Sequence, residues 1–206
     1  MNKDIIYQEK YRGLNIEIYQ DDINEGPDTW GDDGLFLVGY HRDFTVERDE
    51  LITKQDLLNC YAKPEDLNED ECADVKRLRD EYYIFGLEAY IHSGVVLALS
   101  NEGNFCDRQW DVSQLGAVLV AKTEAESFES ARELARGHIK TWNDYLSGNV
   151  YGYEVKTLDN EDVDSCWGFY GDYDAEYGAL PEAKAVIDGL TNNGATDHKG
   201  QLLFAY

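Results

Sequence analysis

One segment of this chain, from about residue 124 to residue 146, repeats its apolar side chains at steps of three and four residues. That period places them on one face of a helix, acidic residues occupy the first turns, and Gly148 follows as a stop signal. A helix of this kind buries its apolar face in the core. The segment therefore predicts one long helix packed against the rest of the fold.

Most other apolar segments are short and have the period of strands. The stretch 14–19 (LNIEIY) alternates apolar and polar residues, and 35–40 (LFLVGY) is a more continuous apolar run. We predict two strands here, joined as a hairpin across the acidic loop between them. Further strands are predicted within 83–100, with a turn at 93–94, and within 115–122, 149–158 and 163–170, and shorter helices within 70–82 and 181–190.

The order of these elements favours the α+β class, because strands and helices mix without a regular β-α-β alternation. We expect a mostly antiparallel sheet packed against the long helix, about 124–146, and two shorter helices. No linker rich in Pro, Gly or Ser divides the chain, so we expect a single domain over 1–206.

Charge restricts the partners of the chain, since 42 Asp and Glu residues face 18 Lys and Arg residues, a formal net charge of -24. Such a charge repels nucleic acid and anionic membranes and attracts basic protein surfaces. No apolar stretch is long enough to span a membrane, and no signal peptide is recognisable at the start. We therefore expect a cytoplasmic protein with reduced cysteines, no membrane contact and no direct contact with nucleic acid.

Two stretches, 17–33 and 154–176, concentrate acidic residues, although each taken alone is typical of a solvated loop. In the second stretch, aromatic residues that include Tyr177 just beyond it interleave with the acids, and Tyr and Trp beside carboxylates are suited to gripping Arg and Lys. The predicted binding residues are Asp21, Asp22, Asp28, Asp32, Asp33, Asp159, Glu161, Asp162, Asp164, Trp167, Tyr170 and Tyr173. A divalent-cation site among these carboxylates stays open.

Evenly spread charge is too dilute to imitate DNA. A folded protein of this mass exposes roughly 9,800 Å², or about one net charge per 400 Å². Duplex DNA carries about one charge per 100 Å² if its radius is taken as roughly 10 Å. A DNA mimic therefore requires the two acidic stretches to gather on one face, or a two-fold homodimer that doubles the charge.

A catalytic alternative uses His92, Cys106 and Asp111, which have the residue types of a base, a nucleophile and an orienting acid. The wider set adds His41 and Cys166. We rank a polar turn above a catalytic role for His92, because Gly94 follows it closely and Asp107 disfavours a thiolate at Cys106. No nucleotide, dinucleotide or hydrolase motif is present, so we expect no cofactor and favour a protein that is not an enzyme.

Three stretches resemble a known family: 110–120, 145–153 (YLSGNVYGY) and above all 164–172 (DSCWGFYGD), with Gly39, Tyr40, His41 and Arg42 near the start. They are similar to a family of acidic proteins of unassigned function encoded by bacteriophages and other mobile elements, and the likeness covers most of the chain. The resemblance carries no catalytic residues. It implies a phage or mobile-element context, in which small, very acidic proteins often act as decoys against host defence nucleases.

These observations favour an acidic protein-binding module that engages a basic surface of a host protein, with a DNA-mimic inhibitor of a defence or DNA-processing protein as its specific form. The first alternative is a small cytoplasmic enzyme with the His, Cys and Asp site. The second is a structural acidic protein whose surface is adapted to salt.

Overall fold

The computed structural model describes residues 4–22, 25–29, 31, 34–41, 44–48, 50–92, 94–105 and 111–192. Nine strands lie within these residues: β1 (Ile5–Tyr11), β2 (Leu14–Gln20), β3 (Leu35–His41), β4 (Phe44–Val46), β5 (Tyr82–Ile91), β6 (Val95–Leu99), β7 (Val112–Ala121), β8 (Val150–Lys156) and β9 (Asp162–Tyr170). The described α-helices are α1 (Lys54–Tyr61), α2 (Glu69–Glu81), α3 (Phe128–Leu146) and α4 (Ala179–Asn192). None of these helices is both long and apolar enough to cross a membrane.

The elements form two antiparallel sheets, which confirms the α+β class with one long helix. The described residues form three α-helices shorter than α3, whereas the sequence predicted two; the additional helix is α1. Contacts divide the chain into two compact units, unit 1 with residues 1–25 and 147–206 and unit 2 with residues 26–146. The expectation of a single domain stays a prediction.

Unit 1 is a four-stranded sheet, ordered β1-β2-β8-β9, with α4 on one face. Ile16 and Ile18 of β2 and Val155 of β8 are fully buried in the cluster that includes Ala183 and Ile187 of α4. Because alternate residues of a strand point to opposite faces, the period-two pattern of β2 follows from this one-sided cover.

Unit 2 is a five-stranded sheet, ordered β4-β3-β7-β5-β6, with helices on both faces. Val118 and Val120 of the central strand β7 pack with Ala135 of α3, whereas Ala117 and Leu119 pack with residues of α1 and α2. Burial on both faces explains why β7 is a continuous apolar run with no alternation.

The predicted hairpin of β2 with β3 is wrong, although both strands exist. β2 pairs with β1 and β8, and β3 pairs with β4 and β7. The two-residue turn Arg12–Gly13 has φ of 46° and 82°, the left-handed conformation that joins strands tightly. Because this turn is only two residues long, β1 lies much nearer to β2 in the sequence than β3 does, which is separated from β2 by residues 21–34.

The long helix begins at Phe128, later than predicted, because residues ahead of it form turns. The Ser127 hydroxyl accepts a hydrogen bond of 3.1 Å from the backbone N–H of Ser130, and so satisfies one of the free donors at the helix start. Ala125 is buried before the helix begins, which accounts for its place in the apolar pattern.

Candidate functional site

The two acidic stretches of the sequence meet in unit 1, because β2 pairs antiparallel with β8. Glu17 lies directly opposite Glu154 in this pairing. Lys156 Nζ lies 2.8 Å from Glu17 Oε2 and 2.7 Å from Glu154 Oε2, and so bridges the two carboxylates. One ammonium therefore compensates part of the negative charge at the point where the stretches adjoin.

Hydrogen bonds keep this cluster in its charged form. Burial acts to raise the pKa of Glu17, but the hydrogen bonds from Lys156 and Tyr19 outweigh it and hold that pKa below its usual value. The pKa of Lys156 is raised, because its ammonium donates to Glu154 and Glu17. Burial, with the hydrogen bond that Tyr19 donates to Glu17, raises the pKa of Tyr19 to about 12. These ion pairs and hydrogen bonds therefore stabilise the sheet and do not form a binding site.

One end of the unit 1 sheet brings together acids from both stretches. The backbone N–H of Asp21 donates to Val150 O at 2.7 Å, and Asp22 beside it is exposed. Val150 at the start of β8 pairs with Tyr170 at the end of β9. The chain that leaves β9 therefore starts at the same end of the sheet as Asp21 and Asp22.

That departing segment, residues 172–177, is here called the acidic loop. Hydrogen bonds from the backbone N–H of Ala175 to Asp172 O and from that of Gly178 to Ala175 O, 3.1 and 2.8 Å long, fold it into successive turns. Tyr173 anchors the loop, since its ring packs against Tyr7 and Tyr151 with centroids 5.7 and 5.5 Å apart. The side chains of Asp172, Asp174, Glu176 and Tyr177 are exposed, Tyr177 to 87%.

The cations of unit 1 pair mainly elsewhere. Lys184 pairs with Glu9 at 2.7 Å, Arg12 with Asp188 at 2.8 Å, and Lys156 with the cluster on β2 and β8. Asp172, Asp174 and Glu176 form no ion pair with any residue that the structure describes. Within the part of the chain that the structure describes, the acidic loop therefore exposes negative charge that no cation compensates.

A second group of acids lies at the opposite end of β9. Asp159 and Asp162 are exposed in and after the turn that joins β8 to β9, and Glu161 is half-buried there. Asp164 accepts a hydrogen bond of 2.8 Å from the Tyr153 hydroxyl and serves the sheet. β9 separates this turn from the acidic loop by about 26 Å, at roughly 3.3 Å per residue. The predicted acids therefore form two groups.

The predicted aromatic residues pack more than they protrude. The Trp167 ring lies across Gly152, where an added Cβ would overlap it, and stands 6.0 Å from the Tyr19 ring. Tyr170 ends β9 and is half-buried, as is Tyr173. Tyr177 belongs to the interleaved aromatic residues but not to the predicted binding residues, because exposure cannot be read from residue type.

Asp28, another predicted binding acid, is buried in unit 2 with 7% exposure. Its carboxylate accepts hydrogen bonds from Leu37 N at 2.8 Å and from Trp142 Nε1 at 3.3 Å, and its Oδ1 lies 2.7 Å from His138 Nε2. These donors commit Asp28 to the fold, so it is not presented to a partner. His138 and Trp142 stand one helical turn apart in α3, and this spacing indicates that His138 lies on the same side of the helix as the buried Trp142. The sequence does not indicate that Asp28, more than 100 residues earlier, is their partner. Asp32 and Asp33 lie outside the described residues.

The catalytic alternative is only partly visible. β5 and β7 pair Tyr90 with Val112, which places His92 and Asp111 at one end of the sheet, yet no hydrogen bond joins their side chains. His92 is exposed and its ring stacks on Tyr90 at 6.3 Å. Cys106 lies outside the described residues, His41 ends β3, and Cys166 is an exposed thiol. Among described side chains, no group of three or more His, Cys, Asp or Glu is placed to hold a metal ion.

No family model, curated protein or solved structure matches the chain. The resemblance to the phage and mobile-element family therefore stays a prediction from the sequence.

Proposed function

We propose that the chain is an acidic protein-binding module whose acidic loop engages a basic surface of a host protein. The observation that carries this proposal is that Asp172, Asp174 and Glu176 are exposed, without cation partners among the described residues, next to Tyr177, which is 87% exposed. Asp22 adds an exposed carboxylate at the same end of the sheet. Unit 1 as a whole holds 17 acidic against 6 basic residues, a net charge of -11.

The loop combines two features that suit recognition of a basic partner. Its carboxylates attract cationic surfaces over distances of about a Debye length, which speeds encounter. Tyr177 offers a large ring with a polar tip, the type of side chain enriched at binding hot spots. Tyr173 holds the loop against the sheet, so less conformational freedom is lost on binding.

In the specific form of this proposal, the partner's basic surface is its nucleic-acid site, and the module acts as a DNA-mimic inhibitor of a defence or DNA-processing protein. The phage context implied by the sequence resemblance supports this form. The gathering of acids from both stretches at one end of the unit 1 sheet supports it as well, since a mimic needs charge denser than an even spread.

The test is a pulldown from bacterial lysate with salt-step elution and competition by duplex DNA. The loop variant is Asp172→Lys/Asp174→Lys/Glu176→Lys. The matched control, Glu65→Lys/Asp66→Lys/Asp80→Lys, makes the same charge change at exposed positions of unit 2. We expect the partner to be retained by the wild type and the control, lost from the loop variant, released by moderate salt and displaced by DNA.

If the partner is lost equally from both variants, the interaction is non-specific charge attraction, which would contradict a role for the loop. Retention by the loop variant would remove the proposal altogether. A partner that duplex DNA does not displace would leave the binding module in place and reject the DNA-mimic form. Tyr177→Ser should weaken binding at constant net charge, which separates the anchor from the electrostatic attraction.

A further inference from the structure

Unit 2 contains a cavity of about 520 Å³ between its first residues, β4 and the C-terminal part of α3. Its volume lies in the range of small-molecule sites. Asp28, Phe44, Glu47, Arg48, Trp142 and Tyr145 are among its lining residues. This cavity lies in unit 2, whereas the acidic loop belongs to unit 1, so a ligand of the cavity does not depend on the proposed function.

Three of the described aromatic rings border the cavity, and two of them stand at a right angle to the third, Trp142. The centroids of Phe44 and Trp142 lie 6.0 Å apart with the planes at 87°, and those of Trp142 and Tyr145 lie 5.8 Å apart at 90°. Trp142 is buried, and Phe44 and Tyr145 are half-buried. All three rings line the cavity, and the face of an aromatic ring attracts a cation that is placed against it.

The indole is held in place from two sides. The indole N–H of Trp142 points between two acceptors, with its Nε1 3.3 Å from Asp28 Oδ1 and 3.2 Å from His138 Nε2. Asp28 Oδ2 accepts from the backbone N–H of Leu37. A Cβ at Gly26 would lie 2.6 Å from Trp142 Cη2, so glycine lets the chain lie close against the ring. The aromatic wall is therefore preorganised.

The charges around the cavity favour a cationic occupant. Asp28 is engaged by its own donors, and Glu50 pairs with Arg48, whose Nε lies 2.7 Å from Glu50 Oε1, so Glu47 is the lining carboxylate that has no cation partner among the described residues. Glu47 is exposed at the rim. An anion would meet this acidic lining, whereas an organic cation gains both carboxylate attraction and contact with the rings.

We propose that this cavity binds a small organic cation, an alkylated ammonium ion, with its head group among Phe44, Trp142 and Tyr145. Aromatic enclosure desolvates the methyl groups, and Glu47 supplies the opposing charge at the rim. Asp28 is a positioning residue in this arrangement, since it acts through Trp142.

The test follows the indole N–H signals in ¹H–¹⁵N NMR during titration with choline and with its neutral isostere 3,3-dimethylbutanol. We expect saturable shifts with choline and about tenfold weaker binding of the alcohol. Tyr145→Leu should weaken choline binding about tenfold, and Phe44→Leu similarly. Glu47→Gln should weaken it several-fold. Tyr61→Leu, an exposed tyrosine of α1 away from the cavity lining, should change it less than twofold.

Absence of saturable shifts with choline would overturn the proposal, as would equal affinity for the neutral alcohol, which would indicate a purely apolar site. Unchanged choline binding by both Tyr145→Leu and Phe44→Leu would also overturn it. Well-dispersed amide spectra show which variants are folded, and the two aromatic variants give independent readings.

Discussion

The carboxylate of Asp21 accepts a hydrogen bond of 3.0 Å from the backbone N–H of Gly168. Asp21 follows β2, Gly168 lies in β9, and β8 runs between those strands, so the bond ties together two strands that are not neighbours. Gly168 has a φ of 83°, a left-handed conformation that turns its N–H away from regular pairing. Asp21, which the sequence predicts as a binding residue, therefore stabilises the sheet.

Replacing Asp21 should therefore cost stability where replacing Asp22 does not. Asp21→Ala leaves the Gly168 N–H without its acceptor and should lower the free energy of unfolding by about 1–2 kcal/mol. Asp22 is exposed, and Asp22→Ala should change the free energy of unfolding by less than about 0.5 kcal/mol. Urea unfolding followed by circular dichroism measures both. Equal effects of the two variants would contradict a structural role for Asp21.

The bridge between Glu17 and Glu154 gives a second prediction. Lys156→Gln removes the cation from two adjoining carboxylates, of which Glu17 is buried, and should lower the free energy of unfolding by about 2 kcal/mol. Adding Glu17→Gln to that variant removes the stranded buried charge and should restore part of the loss. The urea midpoints of the single and double variants test this. A double variant less stable than Lys156→Gln would show that the buried charge is not the cause.

Glu102 in unit 2 gives a prediction for pH. The Arg136 guanidinium, with Arg132, holds the pKa of Glu102 below its ordinary value of 4.5 despite partial burial. A carboxylate with a lowered folded pKa stabilises the fold above its unfolded pKa and loses that contribution as pH falls through the folded pKa. Glu102→Gln should therefore cost about 1 kcal/mol at pH 7, because the pair is partly exposed.

The difference between wild type and Glu102→Gln should shrink as the pH falls below about 4.5. Thermal unfolding at several pH values between 7 and 3 measures it. A difference that stays constant over this range would mean that the charge of Glu102 contributes nothing and that the variant acts through packing.

Local periodicity was sufficient to predict most of the elements. The buried run of β7 and the alternation of β2 are visible in the sequence, since both depend on which faces are covered. Pairing was not predictable from it, because β2 and β3 are equally suited to several partners. The edge strand β1 was missed because its residues are mostly exposed or half-buried and carry little apolar signal.

The candidate site was less accessible to sequence analysis. Asp22 and Asp28 are the same residue type in one acidic stretch, yet Asp22 is exposed and Asp28 is only 7% exposed. What distinguishes Asp28 is its contacts with Leu37, His138 and Trp142, two of which are far away in the chain. Tyr173 and Tyr177 differ in the same way, since one anchors the acidic loop and the other protrudes from it.

Two glycines should respond in opposite directions to the same substitution. Gly137 is exposed within α3, and apart from its chain neighbours and the backbone of its own helix no described atom lies within 4 Å of the position that its Cβ would take. Gly137→Ala should raise the free energy of unfolding by about 0.5–1 kcal/mol, because alanine loses less backbone freedom on entering a helix.

Gly116 lies in the central strand β7, where a Cβ would overlap the Val38 carbonyl of the neighbouring strand β3. Backbone atoms of a paired strand cannot move aside without breaking the pairing, so Gly116→Ala should destabilise unit 2 by about 3 kcal/mol or more. The melting temperatures of the two variants, measured by circular dichroism, show the effect of the same Gly→Ala substitution at the two positions. A neutral Gly116→Ala would mean that β3 and β7 are farther apart than described, which would also question the two-sided burial of β7.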